Sequence, residues 1–570
     1  MAAAQTSLAI RTKNPGYQKR LDELLDLQKT TPDCPYSIIH RLNLARAYLN
    51  LGYPELAASD AYKALLLVDE VSEEAEFHEE ALEAALSDLE TCKDTTWIHH
   101  GQCKCDPSAP EVGSSDEEKA YTCATTCWLR AAYNILIPCL IDCGCLRSAH
   151  NYNQRALNAF PEASTFTSYQ TTLTGRLEEH FKREGETLEG ADVQDYPDKG
   201  LVRRELYPWN EYEPNRYAPD VLEYLNKELA QMAPKLEVRV SELPLLSKPS
   251  SPNAEIHYVK QLGVFAKEDI PPGEVILREK SLLTAVSRLH ETYCDACSGK
   301  LPQPDDTQQS LPILSCEDCE EVFYCTQECH DLAQSSYHPS ICGVDVSQKV
   351  AASEAADALY TLLLVRAMAL AETQDVHPLE LKEVRYIWGD YHSLDISEMW
   401  EKQKPGVSVD AFAGFPRTLP FSFEANVLRP LHILEKMDVN IFEQSGRYDT
   451  WVFNTLYAKF RGTASAQQSP DHRPELGAVH PMWCLANHSC DPNVSWEWAG
   501  SMRFWTRETL VDFAGRDPAN RPGLKKGEEV FSHYCDVSLP VNERREWAVG
   551  ALGGVCVCER CVWEAAKESA

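Results

Sequence analysis

A chain of 570 residues is too long for one hydrophobic core, so several packed units are expected, and 44% hydrophobic with 25% charged residues excludes a disordered or fibrous class. A formal net charge of -33 argues against nucleic acid as a direct partner, because phosphate contacts need clustered lysine and arginine; a basic protein segment is the more natural partner. Met1 to Ile10 lacks a charged stretch leading into an apolar one, and the run Ala351 to Leu370 is interrupted by Glu354, Asp357 and Arg366, so neither secretion nor a membrane span is expected and the location is read as nucleus and cytoplasm.

From Tyr36 to Asp69, small and apolar residues recur with helical period: Leu44 and Tyr48, a turn at Gly52, then Ala57, Ala61, Ala64 and Leu65. This stretch resembles a tetratricopeptide repeat. Gly144, Ala149, Ala156, Leu157 and Pro161 stand at the same relative offsets in a second pair of helices, although a generic helical hairpin satisfies the spacing equally. Between the two lie an acidic run from Asp69 to Glu80, read as a solvated helix face, and a loop-like segment from Asp106 to Asp116. Cys103, Cys105, Cys123 and Cys127, near His99 and His100, match no metal-site spacing. Proline-rich and charged stretches from Tyr196 to Pro219 and from Ser241 to Asn253 read as linkers.

In a chain without a secretory start, 22 cysteines are expected to be reduced thiols or metal ligands. Cys294, Cys297, Cys316, Cys319, Cys325, Cys329, His338 and Cys342 supply eight soft ligands at C-x2-C, C-x3-C and H-x3-C spacings. Zinc takes four such ligands in a tetrahedron, so eight make two sites. Thr292 to Gly343 resembles a MYND zinc finger, which implies interleaved ligation: Cys294, Cys297, Cys325 and Cys329 on one ion, Cys316, Cys319, His338 and Cys342 on the other. Cys556, Cys558 and Cys561 form C-x-C-x2-C, one ligand short of a third tetrahedron, and Cys490 is the candidate fourth.

Cys490 lies in the string Asn487-His488-Ser489-Cys490-Asp491-Pro492-Asn493, followed by Gly527-Glu528-Glu529-Val530-Phe531-Ser532-His533-Tyr534 and the three cysteines. Order and spacing resemble the C-terminal half of SET domains. Gly263-Val264-Phe265-Ala266 and Pro272-Gly273-Glu274-Val275-Ile276 look like the first SET strands and their turn, with the finger inserted behind them. This is the arrangement of the SET and MYND domain-containing lysine methyltransferases. The resemblance covers roughly Glu255 to Trp563. It implies an S-adenosylmethionine-dependent transfer of methyl to a lysine of a histone or another protein, with Tyr534 catalytic, Gly263, Asn454, Asn487, His488 and Tyr534 around the cofactor, and three zinc ions. The family's G-x-G is reduced here to its second glycine, Gly263, and Gly553 and Gly554 stand where an aromatic commonly packs on adenine. Those departures leave open a second function, a catalytically weak scaffold whose finger recruits proline-rich peptides and whose helices recruit another partner.

The expected fold class is α+β and multidomain. Its parts are a TPR-like helical domain at 1–195, a linker at 196–253, the SET N-terminal part at 254–288 and the MYND finger at 289–343. A helical SET insert at 344–450, the SET core at 451–537 and a post-SET zinc region at 538–570 complete it.

Overall fold

The computed structural model describes residues 15–73, 75–91, 97–98, 115–244, 258–286, 293–301, 313–346, 355–389, 391, 411–412, 414–468, 474–552 and 554–568. They form two compact units, one gathering Thr6–Trp209 and Leu394–Asn454 and the other Asn210–Ser393 and Thr455–Ala570. The first is mainly helical and the second holds most of the strands, so the fold is α+β and multidomain.

In the helical unit, Pro15–Thr30, Ile38–Asn50, Pro54–Ser72, His78–Thr91, Leu129–Asp142, Leu146–Ala159 and Ser164–Glu184 follow one another as helices. Two of the connections turn on Gly52 and Gly144, at φ of 79° and 80°, a left-handed backbone that a side chain would strain. The buried side of Pro54–Ser72 carries Ala57, Ala61 and Ala64, fully shielded, which lets the helix Leu129–Asp142 approach closely. Ile38–Asn50 starts at Ser37, whose hydroxyl accepts from the His40 amide and donates to Asp88. Arg203 closes the Gly52 turn by donating to the carbonyls of Leu51 and Gly52 while its guanidinium is paired with Glu205. Asp116–Cys123 continues through a wider turn into Leu129–Asp142. By length and composition this stretch is apolar enough to cross a membrane, but 67% of its most apolar window is buried inside the unit, as in a core helix. The acidic run from Asp69 to Glu80 spans the end of one helix and the start of the next rather than one face. Cys103, Cys105, His99, His100 and most of the loop from Asp106 lie outside the described residues.

The stretch 196–253, expected as linker, is structured where it is described. Strand Gly200–Arg203 pairs antiparallel with Arg417–Phe421 inside the helical unit. Helix Pro219–Met232 and strand Leu236–Pro244 belong to the second unit. The proline that suggested a linker stands at the first helical position, where its missing N–H is harmless. Val221, Leu225 and Leu229 then recur at helical spacing and join the core. The expected helical insert 344–450 is likewise divided. Helix Ala355–Gln374 belongs to the β-rich unit, while strand Arg417–Phe421 and helix Arg429–Lys436 belong to the helical one.

The β-rich unit is assembled from short sheets. Leu236–Pro244 runs antiparallel to Tyr258–Ala266, with Val238 opposite Val264 and Arg239 opposite Gly263. Val275–Glu279 pairs with Met502–Thr506, which pairs with Val494–Trp498. Pro474–Ala478 joins Thr284–Val286 to Ser465–Gln468. Inward residues of these strands, among them Val238, Leu262, Val264, Leu277 and Phe504, form one core with the apolar stripe of Pro219–Met232. A parallel pair, Asn487–His488 with Phe531–Ser532, brings two distant motifs side by side.

Candidate functional site

Three sets of four ligands close up in the β-rich unit. The first is Cys294, Cys297, Cys325 and Cys329, the second Cys316, Cys319, His338 and Cys342, and the third Cys490, Cys556, Cys558 and Cys561. Cys297 to Cys325, Cys325 to Cys329 and Cys316 to Cys342 measure 3.7, 3.7 and 3.8 Å between sulfurs, and Cys319 sulfur lies 3.7 Å from His338 Nε2. A tetrahedron with zinc–sulfur bonds of 2.3 Å has edges of about 3.8 Å. The donor type and spacing therefore fit zinc, and the grouping is the interleaved one. Before a metal binds, the crowded thiols divide their protons unequally: hydrogen bonds from Cys294 and Cys297 pull Cys329 down, while Cys297 is raised by its hydrogen bonds with Cys294 and Cys329, and Cys325 by burial and the same two neighbours. Hairpin Leu314–Ser315/Phe323–Tyr324 and helix Gln327–Ser336, capped by Thr326, hold the finger ligands in place.

The third set has a neighbour that the motif spacing does not announce. Cys535, directly after Tyr534, is buried beside Cys490 and forms with it and His488 a further group of potential ligands. A hydrogen bond from Cys490 pulls the Cys535 thiol below its ordinary value.

The parallel pair sets His488 beside Tyr534. The His488 Nδ1 accepts from the Tyr534 backbone amide at 3.0 Å, and its Nε2 lies 3.3 Å from Cys490 sulfur. Burial holds this imidazole down at about 4, neutral, as an acceptor must be. The Tyr534 hydroxyl donates to the Ala486 carbonyl at 2.7 Å, and burial pushes its acidity well past the physiological range, so it stays a phenol. Trp483 leans on Tyr534 at 6.3 Å between ring centroids. The indole N–H of Trp483 and the hydroxyl of Ser532 are buried with no partner among the described residues. Unpartnered buried donors are costly and concentrate where a ligand completes them.

Asn487 donates to the Leu262 carbonyl at 2.9 Å and to Glu529 at 2.7 Å. Glu529 also accepts from Ser241 at 2.9 Å, and a Cβ placed on Gly263 would fall 2.4 Å from its carboxylate. A side chain at Gly263 would therefore have to displace the Glu529 carboxylate from its contacts with Asn487 and Ser241. Asn493, the last residue of the Asn-His-Ser-Cys-Asp-Pro-Asn string, accepts from the Phe531 amide and donates to the Glu529 carbonyl, locking the strand that presents Tyr534. Asn454 is in the helical unit, where its carbonyl accepts from Asn426 at 3.0 Å and its amide donates to Tyr207 at 3.4 Å.

Glu529, Asn493 and Cys535 stand in or beside the motif strings, yet sequence reasoning assigns them no role, because their roles appear only when distant residues come into register. A second glutamate directly before the Val530-Phe531 pair and a fifth cysteine near four others were the available signals.

Residues 261–535 match the SET domain family. This chain is 23% identical over 328 residues to a SET and MYND domain-containing protein of Dictyostelium discoideum, covering 54% of this chain and 58% of that protein. It is 21% identical over 316 residues to SET domain and MYND-type zinc finger protein 6 of Schizosaccharomyces pombe, covering 52% and 49%. The chain thus spans about half the length of both relatives. Residues 261–535 carry a SET domain, and the chain is similar over about half its length to SET and MYND domain-containing proteins.

Proposed function

We propose that the chain is an S-adenosylmethionine-dependent protein lysine N-methyltransferase carrying three zinc ions. The observation that carries the reading is the convergence of Tyr534, Asn487, His488 and Gly263, with the buried unpartnered donors of Trp483 and Ser532 beside them. The residues fit the cofactor. The Leu262 carbonyl and the Glu529 carboxylate are acceptors for its ammonium, and Asn487 orients both. When bound, S-adenosylmethionine supplies an electrophilic methyl on a sulfonium.

The protein's own part is electrostatic and geometric. A lysine ammonium must lose its proton to become a nucleophile, and its ordinary pKa near 10.4 leaves roughly one in a few thousand neutral at pH 7. The apolar surroundings that raise the Tyr534 hydroxyl's pKa disfavour a cation equally and push a lysine toward the amine. Tyr534, fixed through Ala486 and His488, lines the approach with a neutral dipole and excludes water from it. Neutral His488 keeps the Tyr534 backbone in place instead of exchanging protons. The target is a lysine of a histone or other protein, and proline-rich peptides are the finger's proposed partners. The test is titration calorimetry with S-adenosylmethionine on the zinc-loaded full chain, followed by transfer of labelled methyl to mixed protein substrates. Saturable binding and labelling are expected; no binding at all would favour a recruiting scaffold over the enzyme.

A further inference from the structure

Where the finger meets strand Val275–Glu279 and helix Pro219–Met232, the β-rich unit forms a partly open cavity of about 200 Å³. A single water needs only roughly 10–15 Å³ of such space, so a large side chain fits. Four carboxylates line it, Glu228, Glu279, Glu328 and Glu383, against the ammoniums of Lys280 and Lys382. Glu279 is satisfied, accepting from the amides of Met482 and Trp483 at 3.0 and 2.9 Å. Glu383 is not. It is 5% exposed, its Oε2 has no hydrogen-bond partner, and its other oxygen is only 3.8 Å from Lys382, whose side chain is 72% exposed. A buried carboxylate oxygen left without a donor is costly, and a guanidinium supplies paired donors in a fork that suits it.

The rest of the wall is mostly apolar, interrupted by Ser281 and by the finger's ligand cysteines Cys297 and Cys329. Met232 and Met482 line the cavity, and Leu332 of the finger helix stands 42% exposed at it. Methionines adapt to varied aliphatic neighbours. The unpartnered Glu383 oxygen together with Glu228 and Glu328 calls for a donor of positive charge, while the apolar wall calls for an aliphatic neighbour beside it. A free metal ion would leave the apolar surface unused.

We propose that this cavity binds a segment of a partner protein that presents an arginine next to an aliphatic residue. It is a docking site of the finger and the SET part together; the zinc ligands Cys297 and Cys329 form part of its wall, but none of Tyr534, Asn487, His488 or Gly263 lines it, so it does not depend on the methyl-transfer reading. The strongly acidic chain, at -33, favours basic partners generally, so the test must separate local from global attraction.

The probe is a short fluorescein-labelled peptide alternating arginine and leucine, with a glutamate–leucine peptide as control, followed by polarisation on the zinc-loaded full chain. Glu383→Gln, which keeps the shape and removes the charge, and the double variant Glu228→Lys/Glu328→Lys are each expected to weaken the arginine peptide roughly tenfold or more. Glu79→Lys/Glu80→Lys, on an exposed helix of the other unit, is expected to leave the affinity unchanged. Zinc content equal to wild type in every variant certifies the fold. Equal weakening by the remote pair, no weakening by either cavity variant, or tight binding of the glutamate peptide would overturn the site.

Discussion

Tyr534 is held at three points: its amide by His488, its hydroxyl by Ala486 and its ring by Trp483. Tyr534→Phe removes only the hydroxyl, so the ring still packs and the amide still reaches His488. If the hydroxyl orders the reacting groups, the loss appears in the transition state. Methyl transfer is expected to fall by at least roughly tenfold, while cofactor affinity moves by a smaller factor. Labelled methyl transfer at saturating cofactor, set beside calorimetry, measures both, and unchanged turnover would remove Tyr534 from the chemistry. Asn487→Ala acts differently. It releases Glu529 and the Leu262 carbonyl together, and a buried hydrogen-bonding group of this kind is worth roughly 1–3 kcal/mol. Cofactor affinity should drop accordingly with the melting profile nearly preserved. At this scale the motif string was legible because Asn487, His488 and Cys490 are close in sequence. Glu529 and Asn493 were not, because their meaning comes from the parallel pairing of strands far apart in the chain. Asn454, to which the resemblance pointed, has its side chain held by Asn426 and Tyr207.

The finger is tied to its unit by Arg366, the same arginine that interrupts the apolar run in the sequence. From helix Ala355–Gln374 it donates to the carbonyl and carboxylate of Asp295, between two zinc ligands, and to the Leu282 carbonyl, and stacks on Tyr337 at 3.7 Å. A charge that looked like a reason to reject a membrane span is the finger's anchor. Arg366→Ala removes the cation from Asp295 and from the face of Tyr337, leaving only the Tyr337–Asp295 hydrogen bond between them, and is expected to speed chelator-driven zinc loss from the finger severalfold while the third zinc set responds as in wild type. Equal kinetics for all sites would dismiss the anchor. In that third set, Cys535 is close enough to Cys490 to rival it as the fourth ligand. Metal analysis separates them: three zinc ions are expected in wild type and in Cys535→Ser, two in Cys490→Ser, and the reverse pattern would make Cys535 the ligand. The ligand sets were readable because zinc imposes a short spacing on the chain. Helix Pro219–Met232 was not, because proline and acidic residues at a helix start look like a linker until the stripe of Val221, Leu225 and Leu229 finds a core.

Across the whole molecule, the helical unit buries an unusual amount of charge. Arg41 and Lys63 lie with Asp60 and Asp449 in one shielded cluster, with separations of 3.3 Å from Arg41 to Asp60 and 3.1 Å from Lys63 to Asp449. Such pairs repay little more than their own desolvation, but they fix which segments meet, here the repeat-like helices and the stretch before Thr450. The expected insert was divided between units for this reason as much as for its strand, and no local pattern in the sequence announces a partner 386 positions away.

Glu55 is a different case, fully shielded, with no hydrogen-bonding side chain at either carboxylate oxygen among the described residues. Burial raises it from 4.5 to about 8. Between those values the folded state keeps a proton that the unfolded state has released, so stability falls as pH rises through the window and levels off above it. The slope reaches about 1.4 kcal/mol per pH unit for a single proton. Glu55→Gln is neutral at every pH and removes that slope, while zinc ligands and other titrating groups contribute equally to both proteins. The variant is therefore expected to melt close to wild type at pH 5 and above it at pH 8, the gap widening between. Thermal denaturation of the two full chains at several pH values measures the gap, and a difference independent of pH would mean that Glu55 is ionised in the fold and held by a partner.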